Sequence, residues 1–190
     1  MLVYAFGDEF PQILLQHFAA RGTRHLVVEP SAYGDAAARS NGVQSVSRFF
    51  DEGLARDIVF EHGQADVIVA ANCFSHIQDL HELSGALEVL LKPRGVVIFE
   101  DPYLGDIVEQ VAYDQIYDEH TYYFSVASVA RWLSRHAFDV VDVQPQPVHG
   151  GSMRYVVGRR GALTARPAVD VQRRKEASLG LHDRATYGQF

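Results

Sequence analysis

"FDVVDVQ" (138–144), "PQPVHGG" (145–151) and "SMRYVVGRR" (152–160) follow one another directly, and together they decide the fold. The outer two segments are rich in β-branched and aromatic residues and read as strands. The link between them holds Pro145, Pro147, Gly150 and Gly151, residues that favour turns. A parallel return to a neighbouring strand needs a crossover of about a dozen or more residues. The link is too short for that, so this pair is antiparallel.

Everything before it alternates. "LVYAF" (2–6), "HLVVE" (25–29), "VQSV" (43–46), "ADVIVAAN" (65–72) and "GVVIFED" (95–101) read as strands. "PQILLQHFAAR" (11–21) spaces Ile13, Leu14, Phe18 and Ala19 as one helix face, with Gly22 at the capping position. "DEGLARDIVFEHG" (51–63) is a helix from Asp51 to Gly63, and "DLHELSGALEVLLKP" (79–93) is another, stopped by Pro93. "SVASVARWLSRHA" (125–137) is an amphipathic helix opened by Ser125. Strands alternating with helices predict an α/β fold: a doubly wound, mostly parallel, Rossmann-like sheet with a terminal antiparallel strand pair. By analogy between folds, that ending is the class I methyltransferase architecture rather than a dehydrogenase's. Residues 1–161 are assigned to this domain. From 162 to 190 the strand signals fade, and the segment reads as a linker and a helix, the start of a truncated C-terminal region.

Composition narrows the partners. The chain is 47% hydrophobic and 22% charged with a formal net charge of -7, as in an ordinary soluble globular protein. No block of Lys and Arg stands out, so neither nucleic acid nor an anionic membrane surface is expected as partner. "QRRKE" (172–176) reads as a solvated helix face. The single Cys73 excludes an intramolecular disulfide framework and a multi-cysteine zinc site, and fits a reducing compartment. The N-terminus lacks a basic region before its short apolar run, and no apolar stretch reaches about 18 residues. A cytoplasmic protein is expected.

In such sheets ligands sit at the carboxyl ends of the strands. Gly7 follows the first strand, where a close backbone turn would admit a ligand. Glu29 ends the second, where a carboxylate can accept both hydroxyls of a ribose. Asn72 ends the fourth and could reach an amino-acid moiety or an adenine edge. Phe49 and Phe50 read as core, with one of them also able to stack on a purine. Together these favour a nucleoside ligand. NAD is disfavoured, because "GDEFPQ" (7–12) is not G-x-G-x-x-G.

Four segments carry a more specific signal: "FEDPYLGDIVEQVAYDQIYDEHTYYFS" (99–125), "VVDVQPQPVHGGSMRY" (140–155), "VVEPS" (27–31) and "AANCFSHIQDL" (70–80). The chain resembles, over residues 2–190, the sugar C-methyltransferases of deoxysugar and antibiotic biosynthesis. The resemblance implies S-adenosylmethionine as cofactor and a nucleotide-linked 4-keto-deoxysugar as substrate, methylated at carbon 3. It implies a general base at His120, with Tyr117 and Glu119 as its partners in the site. It places Glu29 on the cofactor ribose, Asn72 in a cofactor-contacting segment, and His149 in a "HGG" loop near the sugar. Relatives carry a zinc-binding domain before this region and a second α/β domain after it. The chain is therefore expected to be the central domain of such an enzyme, truncated at both ends and prone to self-association through apolar surface. Of the family's glycine-asparagine-aspartate-glycine loop it keeps only Gly7.

The chemistry asks for similar groups. Methylating a carbon next to a ketone requires removal of a carbon-bound proton, and a histidine titrating near neutrality suits that. A carboxylate or phenol can orient its imidazole, and a phenol or second histidine can donate to the enolate oxygen. Helical turns over 113–120 would align Tyr113, Tyr117 and His120 on one face; an extended run would align Tyr117 and Glu119 instead. Tyr122, Tyr123 and Phe124 fit either a sugar pocket or the core. Asp114, Asp118 and His120 are compact enough to hold a metal, which the reaction does not need. His76 reads as structural or as a support just behind the site, and His81 and His136, on helices, as surface or boundary residues. The competing readings are a non-catalytic remnant, nucleotide-binding or purely structural, whose glycine loop has decayed, and an NAD-dependent nucleotide-sugar enzyme.

Overall fold

The computed structural model describes residues 2–6 and 10–188. Its seven strands are β1 (Leu2–Phe6), β2 (Arg24–Val28), β3 (Ser45–Val46), β4 (Ala65–Ala71), β5 (Leu91–Pro102), β6 (Phe138–Gln146) and β7 (Ser152–Arg159). They form one sheet in the order β3-β2-β1-β4-β5-β7-β6. The five strands from β3 to β5 are parallel, and β7 runs antiparallel between β5 and β6. The expected fold class and the antiparallel ending both hold.

Among the described residues, eight α-helices accompany the sheet: α1 (Phe10–Ala19), α2 (Ala32–Ser40), α3 (Glu52–His62), α4 (Leu80–Leu90), α5 (Leu104–Gln110), α6 (Val126–Leu133), α7 (Pro167–Ser178) and α8 (Arg184–Tyr187). Side-chain alternation along the central strands feeds two cores. Tyr4, Leu26, Val28, Ile68 and Ala70 pack with Leu54, Ile58, Leu83 and Leu87 of α3 and α4. Val3, Ala5 and Val27 pack on the other face with Leu15 and Ala38 of α1 and α2. Phe99 centres the larger core, stacked on Phe74 at 4.9 Å and on Tyr155 at 4.6 Å.

The caps are local chemistry. Asp51 accepts from the Leu54 N–H, Asp79 from those of His81 and Glu82, and Ser125 from that of Ser128, satisfying amides that a helix start leaves unpaired. Two helices, α2 and α5, fall where the periodicity predicts none. β5 begins at Leu91, four residues before the predicted strand, and carries Pro93 within it. The segment assigned to a linker and helix folds back on the sheet. Glu176 of α7 is fully buried; its carboxylate accepts from the Tyr103 hydroxyl at 3.0 Å and from the Val126 and Ala127 N–H groups that open α6. A carboxylate at that helix end is favoured by the helix dipole as well as by the hydrogen bonds. Among the described residues, no helix is long and apolar enough to cross a membrane.

Candidate active site

The carboxyl ends of β2 and β4 open into a cleft of about 790 Å³ lined by Glu29, Phe50, Asn72, Cys73, His76 and their neighbours. Glu29 lies just past β2 and is 3% exposed. Its Oε1 accepts the Ser31 N–H at 2.7 Å, while Oε2 has no hydrogen-bond partner among the described residues. Gly34 makes room for it: a Cβ there would stand 2.3 Å from the Glu29 Cγ. Phe50 is half-buried against the core and also lines the cleft, combining the two roles read for this pair. Phe49 corrects the reading as core, since it is 80% exposed on the cleft wall. Gly7 lies outside the described residues.

Asn72 and His149 meet across the mouth. Asn72 Nδ2 donates to His149 Nε2 at 3.3 Å, though 77 residues separate them. Both backbones are left-handed, φ 49° at Asn72 and 53° at His149, a conformation that gathers at functional sites. The loop carrying His149 is pinned by α5: the Gln110 side chain donates to the Gly150 carbonyl at 2.9 Å, and the Tyr103 N–H to that of Gly151 at 3.1 Å. At Gly151 φ is 123°, and a Cβ would stand 2.4 Å from Asp106 Oδ2. Gly151→Ala should therefore cost roughly 1–3 kcal/mol of stability. An unchanged thermal midpoint would show that the loop does not need this conformation.

The segment 113–120 is neither a helix nor an extended run. A 3-10 turn, Tyr113–Gln115, is followed by a turn in which the His120 N–H donates to the Tyr117 carbonyl at 3.2 Å. That turn brings the two rings together, tilted by 36° with centroids 4.1 Å apart. His120 Nδ1 lies 3.2 Å from the Gln115 carbonyl, which can only accept, so the proton of the neutral ring sits on Nδ1. Nε2 is thus the bare nitrogen, and it accepts from the Tyr117 hydroxyl at 2.9 Å. Burial holds the His120 pKa below the ordinary imidazole value, outweighing the Gln115 hydrogen bond. Burial likewise raises the Tyr117 phenol, with the charge of Glu119 and the neighbouring Tyr123 adding to it. The result is a neutral imidazole near pH 7 facing a phenol that keeps its proton.

Of the remaining sequence-predicted residues, Tyr123 is edge-on to His120 at 5.7 Å. Glu119 is exposed and makes no hydrogen bond to His120 among the described residues; it acts on the ring only as a nearby charge. Phe124 is core, and Tyr122 stacks on it at 6.1 Å. His76, read as structural or as a support behind the site, lines the cleft and sets its ring edge-on to His120 at 5.0 Å, so it joins the two halves of the site. His81 and His136 are hydrogen-bonded to each other at 2.8 Å, away from His120. Among the described residues, no group of three or more His, Cys, Asp or Glu could hold a metal, so Asp114, Asp118 and His120 do not converge on one.

A methyltransferase domain family matches residues 11–143. The chain belongs to this family. Over its full length it is 33% identical to the C-methyltransferase NovU of Streptomyces niveus, and it spans 45% of that protein. Among solved structures it resembles an S-adenosylmethionine-dependent methyltransferase of Anabaena variabilis, with 16% identity, a TM-score of 0.62, and coverage of 84% of this chain and 77% of that one. It also resembles the magnesium protoporphyrin IX methyltransferase of Synechocystis with bound S-adenosylhomocysteine, at 14% identity, TM-score 0.58, and coverage of 84% and 74%. Family and fold agree with the expectation of S-adenosylmethionine as cofactor.

Proposed function

We propose that the chain is the methyl-transferring domain of an enzyme acting on carbon 3 of a nucleotide-linked 4-keto-deoxysugar, with S-adenosylmethionine as the donor. The observation that carries the reading is the Tyr117–His120 pair beside the cleft that Glu29 lines. The identity to a C-methyltransferase supports it.

The proton next to a ketone is acidified by the carbonyl and still needs a positioned base. His120 Nε2 is that base, because its partner Nδ1 is fixed in the protonated form by Gln115. Tyr117, 43% exposed, can turn its hydroxyl from Nε2 to the ketone oxygen as negative charge gathers there. In this reading His149, whose Nε2 accepts from Asn72, offers Nδ1–H as a second donor to that oxygen, and Tyr123, edge-on to His120, contacts the sugar. The proton taken by Nε2 leaves to solvent after the methyl group is in place. Glu29, Phe50 and Asn72 would hold the cofactor, with Gly7 at its turn; a buried carboxylate with one oxygen unpaired suits a ribose diol. When bound, S-adenosylmethionine supplies an electrophilic methyl group.

S-Adenosylhomocysteine should bind in calorimetric titration, and NAD should not. Glu29→Ala should weaken that binding by roughly 1.5–3 kcal/mol, the scale of hydrogen bonds to a charged group. Unchanged affinity would take Glu29 out of the site, and a parent chain that does not bind S-adenosylhomocysteine would overturn the reading.

A further inference from the structure

Asp101, near the end of β5, is completely buried in the middle of the sheet, between β4 and β7. Its Oδ1 accepts both the N–H of Ser75 at 3.1 Å and its hydroxyl at 2.7 Å. Ser75 in turn uses its carbonyl to accept the N–H groups of Thr121 at 2.8 Å and Tyr122 at 3.3 Å, the two residues that follow His120. Ser75 also precedes His76, whose ring abuts that of His120. One carboxylate oxygen therefore organises, through one serine, both His76 and His120.

The other oxygen has the opposite character. Oδ2 of Asp101 is buried without a hydrogen-bond partner, and so is the hydroxyl of Tyr155. Phe99 pairs with Tyr155 and Asp101 with Met153, so the two orphaned groups stand on one face of the sheet, diagonally across β5 and β7. A half-satisfied buried carboxyl costs stability, and the turn after β4 could be tied down by a neutral side chain at less cost. Departures of this kind gather where a site must be held in place.

We propose that Asp101 is a positioning residue: through Ser75 it holds the turn that carries His120 and keeps the imidazole buried. The proposal rests on reading His120 as the base, but its test does not need turnover. Histidine C–H resonances followed by NMR against pH report the His120 titration directly. In Asp101→Ala the turn is released, and the His120 titration should rise toward the ordinary imidazole value, with faster amide exchange at Thr121 and Tyr122. Asp101→Asn keeps an oxygen for both Ser75 bonds and should leave the His120 titration where it is. Ser75→Ala, which loses only the hydroxyl bond, should give a smaller rise than Asp101→Ala and serves as the readout should that variant fail to fold. Affinity for S-adenosylhomocysteine, titrated alongside, should stay within about three-fold of the parent, which a general loss of structure would not allow. An unmoved His120 titration in folded Asp101→Ala, or in Ser75→Ala where Asp101→Ala does not fold, overturns the proposal. A parent chain that titrates as described yet binds no cofactor product counts against the methyltransferase reading alone.

Discussion

If His120 is the base of the proposed reaction, His120→Gln should sharply slow both methyl transfer and exchange of the carbon 3 hydrogen of a keto-sugar substrate, while leaving the affinity for S-adenosylhomocysteine unchanged. Glutamine has a similar reach and can replace the ring's hydrogen bonds to Tyr117 and the Gln115 carbonyl. It has no lone pair of comparable basicity. Losing a positioned base typically removes about 10²–10⁴ in rate. Deuterated buffer with S-adenosylhomocysteine in place of the donor isolates the proton step: the parent should wash deuterium into carbon 3 of the keto sugar, and the variant should not. The pH dependence follows from the shift at His120. Because burial lowers its pKa, the base is free at neutral pH and is lost as pH falls through a value below the ordinary imidazole range. Exchange at the parental rate in His120→Gln would move the base elsewhere, with Tyr117 or His149 the nearest groups.

That pair of side chains also shows what a sequence can and cannot reveal about a site. Tyr117 and His120 were recognisable as individual residues, by type and by resemblance. Their hydrogen bond was not, because it depends on a turn whose periodicity is neither 3.6 nor 2. Helices α3, α4 and α6 were legible because Asp51, Asp79 and Ser125 announce their starts and leucine-rich or amphipathic faces follow. Helix α2 buries only Gly34 and Ala38, too small a stripe to register as a hydrophobic face. Helix α5, Leu104–Gln110, buries only Gly105 and Ile107 and is embedded in a run of carboxylates and tyrosines. Yet α5 anchors the loop that carries His149. Phe49 shows the reverse: an aromatic side chain that composition assigns to the interior stands on the wall of the cleft. The two roles that were least visible, those of Ser75 and Asp101, come from contacts 26 residues apart that only the parallel pairing of β4 and β5 creates.

Asp101→Asn is expected to make the protein more stable above neutral pH and to flatten its stability between about pH 4 and pH 7. Burial raises the Asp101 pKa to about 7, with the negative charge of nearby Glu100 pushing the same way and the Ser75 hydrogen bonds opposing. From β7, the Tyr155 hydroxyl also faces this region, and burial raises its pKa, so it stays a neutral phenol and adds no charge beside the carboxylate. The sign follows from linkage. In the unfolded chain the carboxyl loses its proton near pH 4, while in the fold it keeps it until about pH 7. Between those values the folded state binds more protons, so stability falls as pH rises and then levels off. At about 1.4 kcal/mol per pH unit across that interval, the full effect is roughly 4 kcal/mol. An asparagine never ionises and escapes this loss, although its buried amide N–H groups return part of the gain for want of acceptors other than Tyr155. Denaturant unfolding at pH 5 and pH 8 measures the difference: about two pH units of that interval lie above pH 5, so the variant's advantage over the parent should be roughly 2–3 kcal/mol larger at pH 8. An advantage equal at both values would mean that Asp101 is already ionised at pH 5, and that the fold pays no desolvation cost for its charge.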